Sequence, residues 1–115
     1  MHELSICQAL LDQVARAAVD NQASSVSQIK VRNGPLSGVD THFLKQAFTV
    51  ACLGTVAEHA ELSIEPESIR VRCKVCTREG IATANALVCS NCGDWHTEVL
   101  SGDALLLVSI ELEID

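Results

Sequence analysis

Ile69-Arg70-Val71-Arg72-Cys73-Lys74-Val75-Cys76, answered twelve residues later by Cys89-Ser90-Asn91-Cys92, is the stretch around which the chain organises. Two Cys-x-x-Cys units at this separation let two short knuckles converge, so that four thiolates surround one Zn²⁺ tetrahedrally. Four thiolates leave no coordination position open, which makes the centre structural and not catalytic. Iron would accept the same geometry, but the neighbouring sequence lacks an aromatic shell to screen it. Arg70, Arg72, Lys74 and Arg78 lie near enough in sequence to offset the net negative charge of such a centre. His96, next to Trp95, reads as a surface histidine, since the cysteines already supply a full ligand set.

Working outward, Ile69, Val71 and Cys73 alternate as a strand that leads into the first knuckle. Upstream, Leu4, Cys7, Leu11, Val14 and Ala18 recur at helical spacing, so a first helix starts almost at the N-terminus. Ser27 to Arg32 alternates as a half-buried strand, with Ile29 and Val31 inward, and Asn33-Gly34-Pro35 breaks it. A second helix is expected over roughly residues 40–53, and Leu62 and Ile64 mark a short strand that Pro66 interrupts. Downstream, Ser101-Gly102-Asp103 turns the chain into a period-two strand through Leu106, Val108, Ile110, Leu112 and Ile114. The expectation is an α+β fold with a small sheet of about three strands and two helices, made from residues 1–68 and 103–115. Residues 69–102 form an inserted Cys₄ zinc ribbon.

A chain of 115 residues accommodates one such core and its appendage, not a large multi-domain catalyst. The formal charge of −7 argues against a nucleic-acid partner, because phosphate contacts rest on lysine and arginine. The longest apolar run, Ala104 to Val108, is far below the roughly 20 residues a membrane-spanning helix needs. With no secretory segment at the start and four of six cysteines in metal spacing, the expected location is the cytoplasm. Cys7 and Cys52 fall in apolar helical patterns and read as small core residues. No serine-hydrolase turn, His-Glu-x-x-His helix or phosphate-cradling glycine loop is present, so no enzyme is expected and any GTP chemistry belongs to a partner.

The chain opens Met1-His2-Glu3, which offers an amine, backbone amides and an imidazole within three residues, and Ni²⁺ accepts such nitrogen donors in square-planar geometry. The Glu3 amide, a carboxylate such as Asp40, or a partner would complete the set. Spacing alone leaves open the alternative that Glu3 simply favours the dipole of the first helix.

Met1-His2-Glu3, the Leu4-Ser5-Ile6-Cys7 helix start, Leu36-Ser37-Gly38-Val39, the paired Cys-x-x-Cys ribbon, Ser101-Gly102-Asp103 and the terminal Ile110-Glu111-Leu112-Glu113 together resemble the HypA/HybF hydrogenase nickel-incorporation proteins. The likeness covers nearly the whole chain. It implies a nickel-binding α+β domain with a zinc ribbon and a metallochaperone role, with Ni(II) as transported cargo and Zn(II) as structural cofactor. The implied partners are a HypB-type GTPase and the [NiFe]-hydrogenase large subunit, and a homodimer is compatible with it. On matching positions it implies His2 as the indispensable nickel ligand, main-chain nitrogen from Met1 and Glu3, a further contribution from Asp40, and zinc held by Cys73, Cys76, Cys89 and Cys92. Pro35, Thr77 and Ala104 depart from the family pattern, Thr77 by following the first knuckle where glycine is expected. The competing expectation is a zinc-ribbon adaptor for protein or RNA that transfers no nickel.

Overall fold

The computed structural model describes residues 2–114. Its elements run α1 (His2–Asp20), β1 (Ser25–Asn33), α2 (Thr41–Ala51), β2 (Glu61–Pro66), β3 (Ile69–Cys73), β4 (Glu79–Ala82), β5 (Thr97–Ser101) and β6 (Leu105–Glu113). The strands make two three-stranded sheets, of order β2-β1-β6 and β4-β3-β5. The fold is thus α+β, as the sequence suggests, with the four-cysteine segment carrying a sheet of its own. No helix among the described residues is long and apolar enough to cross a membrane.

The chain divides into two compact units. The first comprises Met1–Val31, Val39–Glu65 and Leu106–Asp115, and the second Arg32–Gly38 and Pro66–Leu105. The segment 69–102 lies within the second unit, which also takes in 32–38.

In the first unit, α1 buries Cys7, Leu10, Leu11, Val14 and Ala18, one face at three-to-four spacing, while Leu44 and Phe48 are the buried positions of α2. The two helices pack on each other, and Val26, Ile29 and Val31 of β1 are buried in the same unit. Cys7 is a core residue whose thiol donates to the Leu44 carbonyl oxygen at 3.6 Å. Burial, then the proximity of Cys52 and Glu3, pushes that thiol above its ordinary value and keeps it neutral. Cys52, equally buried, is the C-terminal cap of α2.

The entry to α2 is fixed by Asp40, which has extended backbone (φ −84°, ψ 121°) and accepts the Phe43 N–H at 3.0 Å. Such a cap satisfies one of the unpaired N–H groups of the first turn and is worth about 1 kcal/mol.

In the second unit, β3 alternates strictly, with Ile69, Val71 and Cys73 buried and Arg70 and Arg72 exposed. Antiparallel pairing sets Arg72 opposite Glu79 of β4 and Glu98 of β5, and Arg72 Nη2 reaches Glu79 Oε2 at 3.0 Å. Gly34 and Gly102 are required by close backbone approach. The Gly34 N–H donates to Ala104 O at 3.1 Å and the Leu36 N–H to Gly102 O at 2.9 Å. A Cβ on Gly34 would run into the Gly102 backbone, and one on Gly102 (φ +92°) into Ile69.

Two local expectations change. β4 and β5, which the sequence pattern did not single out, complete the ribbon sheet. In β6, Leu106 and Val108 are exposed (47% and 40%), while Leu105, Leu107, Ile110 and Leu112 are the half-buried positions. Val108 and Ser109 are exposed in succession, so the alternation slips by one residue there, as at a bulge.

Candidate metal centres

The four cysteines are brought to one point by two knuckles of nearly identical construction. In the first, the Val75 and Cys76 N–H groups donate to Cys73 Sγ at 3.3 and 3.4 Å. In the second, Asn91 and Cys92 N–H donate to Cys89 Sγ at the same 3.3 and 3.4 Å. The turns close alike, Thr77 N–H donating to Cys73 O at 3.0 Å and Gly93 N–H to Cys89 O at 2.9 Å. The residue after each knuckle is left-handed, with φ +68° at Thr77 and +77° at Gly93.

Cys73 and Cys92 sulfurs stand 3.6 Å apart, as do those of Cys76 and Cys89, and all four lie within 4.8 Å of one another. Sulfurs on a tetrahedron with metal–sulfur bonds of ~2.3 Å would be about 3.8 Å apart, so the cluster fits a tetrahedral thiophilic ion. It is consistent with a zinc ribbon. At two of the four positions, Cys73 and Cys89, the electrostatics favour the thiolate a metal requires. Chiefly through the Cys92 N–H, Cys89 is lowered from 9.0 to about 6, and Cys73 is lowered chiefly by the Cys76 N–H. At Cys92 the Asp94 N–H works downward, but hydrogen bonding with the Cys73 thiol, burial and the remaining thiols push it up to about 12. Without an ion the cluster therefore shares protons, and a cation would displace them.

The N-terminal residues form a second constellation, although Met1 lies outside the described residues. His2 and Glu3 open α1, and His2 Nε2 is 3.5 Å from Glu3 Oε2. The same Glu3 oxygen accepts the Asp40 N–H at 3.4 Å. The Glu3 side chain is only 12% exposed. Burial works to raise its pKa, but the backbone N–H groups of Glu3 and Asp40, with His2 alongside, hold it below the ordinary value. His2, Glu3 and Asp40, far apart in sequence, are thus gathered in the first unit. Asp40 Oδ1 accepts the Phe43 N–H as the cap of α2.

The structure also shows what the sequence reading missed: the Glu3 carboxylate ties the start of α1 to the entry of α2, and no local spacing signals a contact between residues 37 apart. His96 is outside the sulfur cluster. Its ring stacks on Trp95 and its Nδ1 meets Asp94 Oδ1 at 2.7 Å. Asp94 is held below its ordinary pKa, first by the His96 backbone N–H and then by the imidazole.

Comparison with known proteins places the whole chain beside one family. Residues 1–112 match the HypA family, described as hydrogenase/urease nickel incorporation, metallochaperone. The hydrogenase maturation factor HypA of Aquifex aeolicus is 42% identical over 115 residues and is covered completely, as is this chain. That of Nitrosospira multiformis is 43% identical over 112 residues, 97% of each chain. Among solved structures, the Ni metallochaperone HypA from Helicobacter pylori superposes with a TM-score of 0.76 at 27% identity over the full length of both chains. The chain belongs to the HypA family of hydrogenase nickel-incorporation proteins, and so is a metallochaperone and not an enzyme.

Proposed function

We propose that the chain takes up Ni(II) at its N-terminus and delivers it, in the cytoplasm and beside a HypB-type GTPase, to the large subunit of a [NiFe]-hydrogenase. The nickel ligands are the Met1 amine, the His2 amide and imidazole, and the Glu3 amide, with the Asp40 carboxylate as a further donor. Adjoining chelate rings around a square-planar ion suit this donor order. Deprotonating backbone amides is costly, so affinity is moderate and returning protons release the ion, as a carrier needs. The observation that carries the reading is the Glu3 carboxylate, which holds His2 and the Asp40 loop on one oxygen and so gathers the donors before the ion arrives.

Zn(II) is the resident ion, held by Cys73, Cys76, Cys89 and Cys92, and it fixes the ribbon's shape. Nickel handling is assigned to residues 1–68 and 103–115 and zinc to 69–102. Nucleotide hydrolysis is assigned to the partner, in keeping with a sequence that has no phosphate-cradling glycine loop.

The test is a calorimetric nickel titration of untagged, zinc-loaded protein beside His2→Ala at one pH. The expected result is loss of one nickel-binding event per chain in the variant with zinc content unchanged. Equal binding by both would overturn the reading and leave the ribbon adaptor in its place.

A further inference from the structure

The ribbon unit presents an aromatic group that neither metal constellation uses. Trp95 is 71% exposed, yet its ring stacks on that of His96, with centroids 3.7 Å apart and planes at 28°. His96 is itself fixed: Asp94 Oδ1 lies 2.7 Å from both its Nδ1 and its backbone N. Its carbonyl accepts the Lys74 N–H at 2.8 Å, and the Asp94 carbonyl accepts the Cys89 N–H at 2.9 Å. The indole is therefore built onto both knuckles. A large aromatic already held in one arrangement loses little more freedom on binding, and tryptophan is among the residues most enriched at interface hot spots. Val75, 63% exposed, follows Lys74 in the first knuckle and adds a second apolar group there.

Charge selects the partner. The first unit holds three of the eight cations and ten of the fifteen acidic residues, and the second holds five of each. In the second, Arg70 and Arg72 are matched by Glu79, and Asp94 is engaged by His96. Lys74 has no carboxylate at ion-pair distance among the described residues, and the Arg78 guanidinium meets the neutral Asn91 amide oxygen at 3.3 Å. Within the second unit the cations without a carboxylate at ion-pair distance among the described residues are thus Lys74 and Arg78, both at the knuckles that hold Trp95, where they also offset the negative charge of the thiolates.

We infer that Trp95, with Val75, Lys74 and Arg78, is the anchor by which the ribbon docks an acidic protein surface bearing an apolar pocket. Resting on the delivery role proposed above, that surface belongs to the nickel-receiving large subunit. Such a contact is separate from the nickel ligands, so partner choice and cargo affinity are set by different residues.

The experiment titrates zinc-loaded chain, Trp95→Ala, and the Lys74→Glu/Arg78→Glu double variant against purified nickel-free hydrogenase large subunit at two ionic strengths. Zinc content and nickel titration are recorded for each. The expected result is at least a tenfold loss of affinity in Trp95→Ala, and a loss in the double variant with a flatter salt dependence, nickel binding being unchanged in both. Undiminished binding by Trp95→Ala with zinc retained would overturn the inference. So would loss of binding to a short polyuridylate RNA in that variant while the large subunit still binds, which would make the patch a nucleic-acid face. Should Trp95→Ala lose zinc, the double variant decides alone. A wild-type chain that loads nickel through His2 but ignores the large subunit would remove delivery and docking together. One that docks through Trp95 without His2-dependent nickel would keep the docking and overturn only the nickel site.

Discussion

The helical unit closes around Val14, Val26, Ile29, Val31 and Leu44, with Leu10, Leu11 and Phe48 nearly as buried. Inside the ribbon unit, by contrast, the buried apolar side chains among the described residues are Ile69 and Val71, joined by the sulfurs of Cys73 and Cys89. Apolar burial at roughly 25 cal/mol per Å² can hold the first. The second has too little of it and must draw its stability from metal–sulfur bonds. On the function proposed above, the difference would separate two roles: a scaffold that persists while cargo comes and goes, and a recognition element whose shape depends on a resident ion.

The largest effect should come from breaking the sulfur side. Cys89→Ser, or removal of the ion by a strong chelator, is expected to abolish exchange protection of the β3–β5 amides while α1 amides stay protected, as read by hydrogen exchange. Zinc binding in small sites of this kind is worth about 10–16 kcal/mol, more than the ribbon's apolar core can replace. Acid should act in the same direction. Cys89 has a folded value of about 6 against an ordinary 9.0, so its contribution is complete above about 9 and is lost as pH falls through 6. Protons also compete with a bound ion for the thiolates, so zinc release to a chromogenic chelator should rise as the pH is lowered.

Breaking the apolar side should be smaller and should leave zinc alone. Leu44→Ala, at a fully buried position, is expected to cost about 2–5 kcal/mol in denaturant unfolding followed by helical ellipticity, with one zinc per chain retained.

Smaller still are changes that sharpen the comparison of the two knuckles. Gly93→Ala places a side chain at φ +77° with open space around it, so strain alone should weaken zinc retention, by about 1–2 kcal/mol in a competition assay. At Thr77, φ +68° is already occupied by a β-branched residue, whose hydroxyl donates to Cys76 O at 2.6 Å. Thr77→Gly relieves strain but loses that bond and adds chain freedom in the unfolded state, so a gain of at most about 1 kcal/mol is expected in the same assay.

Features of this chain were legible in proportion to how locally they are encoded. The stripe of α1 and the alternation of β3 repeat within a few residues; β3 appears as the sequence spaced it, and α1 buries Cys7, Leu11, Val14 and Ala18 as expected, while Leu4 at its start is exposed and Leu10 joins the buried face. The Cys-x-x-Cys pairs were legible because ligand chemistry dictates spacing, and the departure at Thr77 proved to sit at a left-handed position. β4 escaped because Glu79–Ala82 is four residues with a glycine, and β5 because Thr97–Ser101 is only half-buried on one face. The slip in β6 left no mark in a run of Leu105-Leu106-Leu107-Val108 that is apolar on both faces. The Glu3–Asp40 link joins residues whose proximity exists only after α1 and α2 have packed.

Trp95 is the chain's one tryptophan, there is no tyrosine, and it resides in the ribbon unit, whereas both helices belong to the other. The molecule therefore contains two optical gauges that do not overlap: near-ultraviolet emission follows the ribbon, and far-ultraviolet ellipticity follows the helices. A single melting experiment on unlabelled protein can thus ask whether the units let go together, since coincident curves mean one cooperative transition and divergent curves mean two.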